Sequence, residues 1–136
     1  NPLENVIFYG YVEQSEIYKY YEKIDVCILP NQIKSLGAGK GSVNISKYTS
    51  PLKLFEYMSY KKAIIASDLD VFKEILKHNS NAILVKPDDY IGWVNAIEQL
   101  KDFKLRTRLQ ENAYVEFKNK YTWDKRVSKI IDNLTF

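Results

Sequence analysis

A chain of 136 residues with 46% apolar and 27% charged residues is sized for a single soluble globular domain with a buried core. Its net charge of +3 is too mild to imply a nucleic-acid partner. No apolar run approaches the roughly 18 residues of a membrane span, and one cysteine, Cys27, excludes an intramolecular disulfide.

Asn1, Pro2, Leu3 and Glu4 do not read as a secretory signal, and the absence of Met at position 1 sets the expectation of a fragment. Val6-Ile7-Phe8-Tyr9 reads as a strand ending at Gly10. Ser15 is positioned to cap a helix to about Ile24, with Ile17, Tyr20, Tyr21 and Ile24 on one stripe. Val26 to Leu29 is continuously apolar and stops at Pro30, which suits a parallel strand covered on both faces, with Cys27 a buried thiol. A long polar stretch from Asn31 to Thr49 follows, with Gly37, Gly39 and Gly41; loops of that length are functional or mobile.

Ser50 as N-cap and Pro51 at the first helical position open a helix to about Tyr60. Leu52, Phe55 and Ser59 are expected on its sheet-facing side. Ala63 to Ala66 is the next buried strand. Ser67 with Asp70 resembles a capping box for a helix to about Lys77. Ala82 to Val85 is another strand, stopped by Pro87. Asp88 or Asp89 caps a helix carrying Ile91, Val94, Ile97 and Leu100. Two more helices are expected near 103–119 and 123–134, the last capped by Thr122. Short apolar strands alternating with amphipathic helices predict an α/β fold, a Rossmann-like parallel sheet flanked by helices on both faces.

Ligands of open parallel sheets bind beyond the carboxyl ends of the strands. Of the segments placed there, Ser50-Pro51-Leu52-Lys53-Leu54-Phe55-Glu56 carries the most chemistry. A helix N-terminus presents unpaired N–H groups and partial positive charge, a ready phosphate site. Lys53 opposes that dipole, a penalty a bound anion would reverse. Glu56, three residues on, shares a face with Lys53 and is placed to accept hydrogen bonds from two vicinal hydroxyls. Phosphate at the tip and a diol one turn inward describe a nucleotide. The plainer reading of the pair is a surface ion pair on an ordinary capped helix.

The run from Ser50 through Glu56 and Ala63-Ile64-Ile65-Ala66 to Ser67 resembles the signature of the family 4, or group 1, retaining glycosyltransferases of GT-B fold. The resemblance covers nearly the whole chain: Val6 to Val12 is similar to a strand ending in a Gly-x-Val turn, Ile24 to Pro30 to the next strand, Ala82 to Asp88 to a third, and Tyr121-Thr122-Trp123 to the start of the terminal helix. It implies that residues 1–136 form the C-terminal donor-binding domain, with the N-terminal acceptor domain and the first strand of this domain absent, and no transferase activity from this segment alone. It implies that Glu56 is the second acid of an E-x7-E motif, holding the ribose hydroxyls. The first acid would fall at Tyr48, a departure that resembles a subgroup lacking it. Ser50, Pro51 and Leu52 would hold the donor's sugar or diphosphate, and Tyr11 and Val12 would lie near the base. Lys40 in the long loop and Asp68 are secondary donor-side candidates.

The implied reaction is transfer of a hexose, a mannosyl unit being one option, from a nucleotide diphosphate sugar to a cell-envelope glycan or lipopolysaccharide core, with anomeric retention. No cofactor and no metal are expected. The glycan or glycolipid acceptor would bind through the absent domain, in a cytoplasmic setting at the inner face of the membrane. Lys101, Lys104, Arg106 and Arg108 read first as a solvated helix face and second as a peripheral membrane contact. Gly37 to Ser42 lacks the Gly-Lys-Ser/Thr order of a P-loop. His78 reads as a C-terminal helix cap, and Glu74 with Lys77 and His78 as solvated helix surface. The rivals are another GT-B enzyme, such as a nucleotide-sugar epimerase or a trehalose-phosphate-type synthase, and a non-catalytic nucleotide-binding or regulatory α/β domain.

Overall fold

The sheet is built from the three apolar runs that lack polar alternation: β1 (Val26–Leu29), β2 (Ala63–Ser67) and β3 (Ile83–Val85). The computed structural model describes residues 4–32 and 52–134. The strands are parallel in the order β1-β2-β3, with Val26 opposite Ala63 and Ile65 opposite Ile83. Central β2 is buried over all five residues, which is why its sequence shows no period-two pattern. Ile64 and Ala66 face one core, with Leu54 and Met58 of α2 (Leu52–Ser59) and Phe72 of α3 (Asp70–Lys73). Ala63 and Ile65 face the other, with Ala96 and Leu100 at the end of α4 (Tyr90–Gln99). The long α5 (Phe103–Lys120) serves both, through Leu109 on one side and Ala113 on the other. The chain is therefore an α/β fold with a parallel sheet flanked by helices, as its pattern predicts.

The helix starts follow side-chain chemistry. Asp89 Oδ1 accepts from the Gly92 N–H at 2.8 Å and caps α4. Asp102 Oδ1 accepts from Lys104 and Leu105 and caps α5. Thr122 Oγ1 accepts from the Lys125 N–H at 3.4 Å at the start of α6 (Trp123–Asp132). Among the described residues no helix is long and apolar enough to cross a membrane.

Several expectations are corrected. Val6 to Tyr9 is not a strand: Ile7 is 70% and Phe8 91% exposed, and neither edge of the three-stranded sheet pairs with the segment. High strand propensity yields a strand only where a neighbouring edge takes up the backbone groups. The helix expected from Ser15 to Ile24 is a 3-10 turn at Gln14–Glu16 followed by the short α1 (Ile17–Tyr21); Ser15 lies inside the turn and caps nothing. Ser67 is not a cap either. It ends β2, fully buried, and its Oγ donates to the Leu29 carbonyl at 3.3 Å, while α3 starts after Leu69 and stops at Lys73.

Two helices turn a different side inward from the one expected. In α2 the buried side chains are Leu54 and Met58, and Leu52 is 77% exposed. In α4 they are Ala96 with Leu100 just beyond, whereas Ile91, Val94 and Ile97 all point outward. Small residues permit this orientation. A Cβ on Gly92 would lie 3.0 Å from Val85 Cγ1, so glycine sets how closely α4 approaches β3. His78 caps no helix: its Nδ1 accepts from the Leu84 N–H at 3.0 Å, and its backbone forms a parallel bridge with Ala82. Arg106 is not a solvated side chain; its guanidinium donates to the Leu100 carbonyl at 2.7 Å. Lys101, Lys104 and Arg108 are exposed, as are Glu74 and Lys77.

Candidate functional site

The carboxyl ends of β1 and β2 are tied by the Ser67–Leu29 hydrogen bond, and α2 rises beside them. Glu56 sits in the second turn of α2, where the helical spacing that buries Leu54 and Met58 turns it away from the sheet. Its side chain is 20% exposed. Two groups from two segments converge on its carboxylate. Gln14 Nε2 donates to Oε1 at 3.3 Å. Lys53 Nζ lies 3.6 Å from Oε2, the i,i+3 pairing the sequence places on one face. Tyr21 of α1 lies close enough to feel the charge of the same carboxylate.

Tyr21 is buried between aromatic neighbours, stacked on Tyr60 at 4.4 Å and edge-on to Tyr57 at 5.9 Å. Burial first, and the Glu56 charge second, push its hydroxyl well above the ordinary phenol range, so it remains a donor at every physiological pH. Burial likewise raises Tyr57, with smaller contributions from Cys27 and Glu56. Cys27 is pushed up to about 12 by burial, only partly opposed by Lys62. A thiol held protonated there is a packing group rather than a nucleophile.

The expected site residues are thus placed unevenly. Glu56, Lys53 and Leu52 share one end of α2. The segment holding Tyr11 and Val12 leads into Gln14, which reaches Glu56; Tyr11 is exposed and Val12 half-buried. Asp68 follows β2 and forms an ion pair with Lys73 at 2.8 Å. Ser50, Pro51, Tyr48 and Lys40 lie outside the described residues, as does most of the glycine-bearing loop. Gln14 is a site residue that sequence reasoning missed. Its partner lies 42 residues further along the chain, so no local pattern signals the contact.

On its other side Glu56 borders a cleft of about 770 Å³ between α2 and the α5–α6 corner. Leu52, Phe55 and Trp123 supply apolar surface, and Lys125, Arg126 and Lys129 supply positive charge. Among the described residues, no three His, Cys, Asp or Glu side chains converge as metal ligands would.

Comparison with known proteins gives a consistent result. A family model described as glycosyl transferases group 1 matches residues 1–102. An uncharacterized glycosyltransferase of Methanocaldococcus jannaschii is 26% identical over 129 residues, which are 93% of this chain and 29% of that protein. Among solved structures, the sucrose-phosphate synthase of Thermosynechococcus elongatus superposes with a TM-score of 0.74 at 20% identity, covering 96% of this chain and 30% of that one. The C-terminal domain of a glycosyl transferase group 1 family protein from Francisella tularensis gives a TM-score of 0.64 at 25% identity, over 85% of this chain and 53% of that one. The chain therefore spans less than a third of the curated relative it matches.

Proposed function

Because the chain belongs to the group 1 glycosyltransferases, we propose that residues 1–136 form the C-terminal, donor-binding domain of a family 4 retaining transferase. The donor is a nucleotide diphosphate sugar, and the acceptor is a glycan or glycolipid of the cell envelope bound by a further domain. Transfer of a hexose such as mannose to a lipopolysaccharide core is the setting we favour, at the inner face of the membrane. The observation that carries the donor-binding reading is the Glu56 carboxylate. It is anchored by Gln14 and Lys53, partly open to solvent, and beside a cleft of about 770 Å³, within the range of roughly 300–1,000 Å³ common to small-molecule sites.

In this reading Glu56 accepts hydrogen bonds from the ribose hydroxyls and exchanges no proton. We assign the donor's sugar or diphosphate to Ser50, Pro51 and Leu52 and the N–H groups at the amino end of α2, with Lys53. Charge develops on that diphosphate as the glycosidic bond to the donor sugar breaks, and preorganised donors stabilise it without reorganisation and without a metal ion. We assign Tyr11 and Val12 to the base, Lys40 to phosphate, and Asp68 and Tyr48 to secondary donor-side roles. Calorimetric titration of the chain with UDP, GDP and ADP tests the assignment. One of them binds, and Glu56→Ala weakens it at least about tenfold, as loss of a charged hydrogen-bonding partner does. Equal binding by parent and variant, or no binding by the parent, overturns it.

A further inference from the structure

Charge is spread unevenly along the chain. Of its 20 basic and 17 acidic side chains, residues 117–134 hold five and two, so the fifteen and fifteen elsewhere cancel and the net +3 sits on the end of α5 and on α6. Successive helical residues turn by about 100°. Trp123, Val127, Ile130 and Ile131, joined by Leu134 just past the helix, therefore form one apolar arc, and each is more than half exposed. Arg126, Lys129 and Lys125 follow one edge of that arc, and Asp124 and Asp132 fall on the opposite flank. Those three cations make no ion pair with a described residue, whereas Lys120 just before them is held by Glu116 at 2.8 Å. The exposed apolar side of α4 differs: Ile91, Val94 and Ile97 point outward from a helix with no Lys or Arg.

We propose that α6 is a membrane-docking helix, which lies in the interface of a bilayer carrying anionic headgroups. The inference rests on the membrane setting proposed above and not on the role of Glu56. A helix laid in the interface plane buries its apolar face at the acyl boundary while its cations meet the negative surface. Long Lys and Arg stems cover the edge of an apolar arc and carry their charge outward. Trp123, at the helix start, suits the headgroup level, where an indole keeps its ring in apolar surroundings and its N–H in polar ones. An apolar protein surface would cover the arc but leave three cations without a counter-charge. An anionic bilayer takes up both.

Flotation of the chain at low salt tests this, with vesicles of phosphatidylcholine alone and of phosphatidylcholine mixed with an equal part of phosphatidylglycerol. The chain binds the mixed vesicles at least about tenfold more tightly than the neutral ones, and added salt weakens that binding. Ile131→Asp, on an exposed face where folding is not at stake, loses about tenfold on the mixed vesicles. Lys125→Glu combined with Lys129→Glu removes the preference for the anionic vesicles. Val94→Asp, a similarly exposed site on α4, changes binding less than about twofold. No binding to the mixed vesicles, equal binding to both kinds, or equal losses in Ile131→Asp and Val94→Asp overturns the proposal. So does self-association of the chain that Ile131→Asp abolishes, because the arc then belongs to a protein contact. Ile131 is not among the residues lining the cleft beside Glu56, so nucleotide titration of the same variant reads the donor assignment separately. Nucleotide binding without vesicle binding removes only the docking helix, and vesicle binding without nucleotide binding removes only the donor reading.

Discussion

The helices α2 and α6 begin from similar amphipathic patterns and end in opposite situations. Leu54 and Met58 of α2 are fully buried between β2 and α5. α6 buries no side chain, and Trp123, Val127, Ile130 and Ile131 are 80%, 51%, 52% and 62% exposed. A hydrophobic stripe therefore states that a helix has an apolar face, and not that the face is covered. α4 makes the same point within one helix. Its larger apolar residues Ile91, Val94 and Ile97 point outward, and the contact with the sheet is made by Gly92, Ala96 and Leu100.

The contrast is sharpest in stability. Leu54→Ala or Met58→Ala removes fully packed methylenes, and the expected loss by urea unfolding is about 2–5 kcal/mol. Ile130→Ala, a comparable truncation on α6, stays within about 0.5 kcal/mol. Equal losses at the two sites would show that the outward face of α6 is covered in solution, and would break the comparison. At the α4 contact, Gly92→Ala forces the new Cβ against Asp89 and Val85; overpacking of that kind costs about 1–3 kcal/mol. Val94→Ala on the outer side of the same helix stays near zero. A harmless Gly92→Ala would mean that α4 moves away from β3 freely.

The smallest effect is a pH slope. In the folded chain Cys27 titrates at about 12 rather than its ordinary 9.0. An acid whose proton is held more tightly when folded contributes stability that is complete below pH 9 and is lost as pH rises toward 12, because the unfolded chain ionises first. Each such group gives a slope of about 1.4 kcal/mol per pH unit within its window. Tyr21 and Tyr57, also raised, add to the slope above pH 10. Unfolding of Cys27→Ala, followed between pH 8 and 11, has a shallower decline than the parent; parallel curves would place the thiol in a more open environment.

Most of the fold was legible. β1, β2 and β3 are short apolar runs bounded by Pro30, Ser67 and Pro87, and Asp89 and Thr122 mark helix starts by side chains that accept backbone N–H groups. The failures share a cause. Val6 to Tyr9 has the composition of a strand but no paired edge, and Ser67 has a capping-box spacing to Asp70 but ends a strand, where its buried hydroxyl donates to the Leu29 carbonyl. In each, the presence or absence of a non-local partner overrode the local signal. The site divides the same way. The Lys53–Glu56 pair follows from helical spacing alone, whereas Gln14 comes to Glu56 only because the segment around α1 packs beside α2.

The amino-acid order by itself determined the alternation of buried strands and amphipathic helices, because those periodicities are local consequences of backbone geometry and of apolar side chains leaving water. It also set the acid and base one turn apart near the start of α2. Only the tertiary structure decided which face of each helix became core, since that choice depends on which side chains fit the small spaces over β2 and β3. It alone brought the Gln14 amide from a distant position onto the Glu56 carboxylate, an encounter fixed by packing between segments that no short-range pattern encodes.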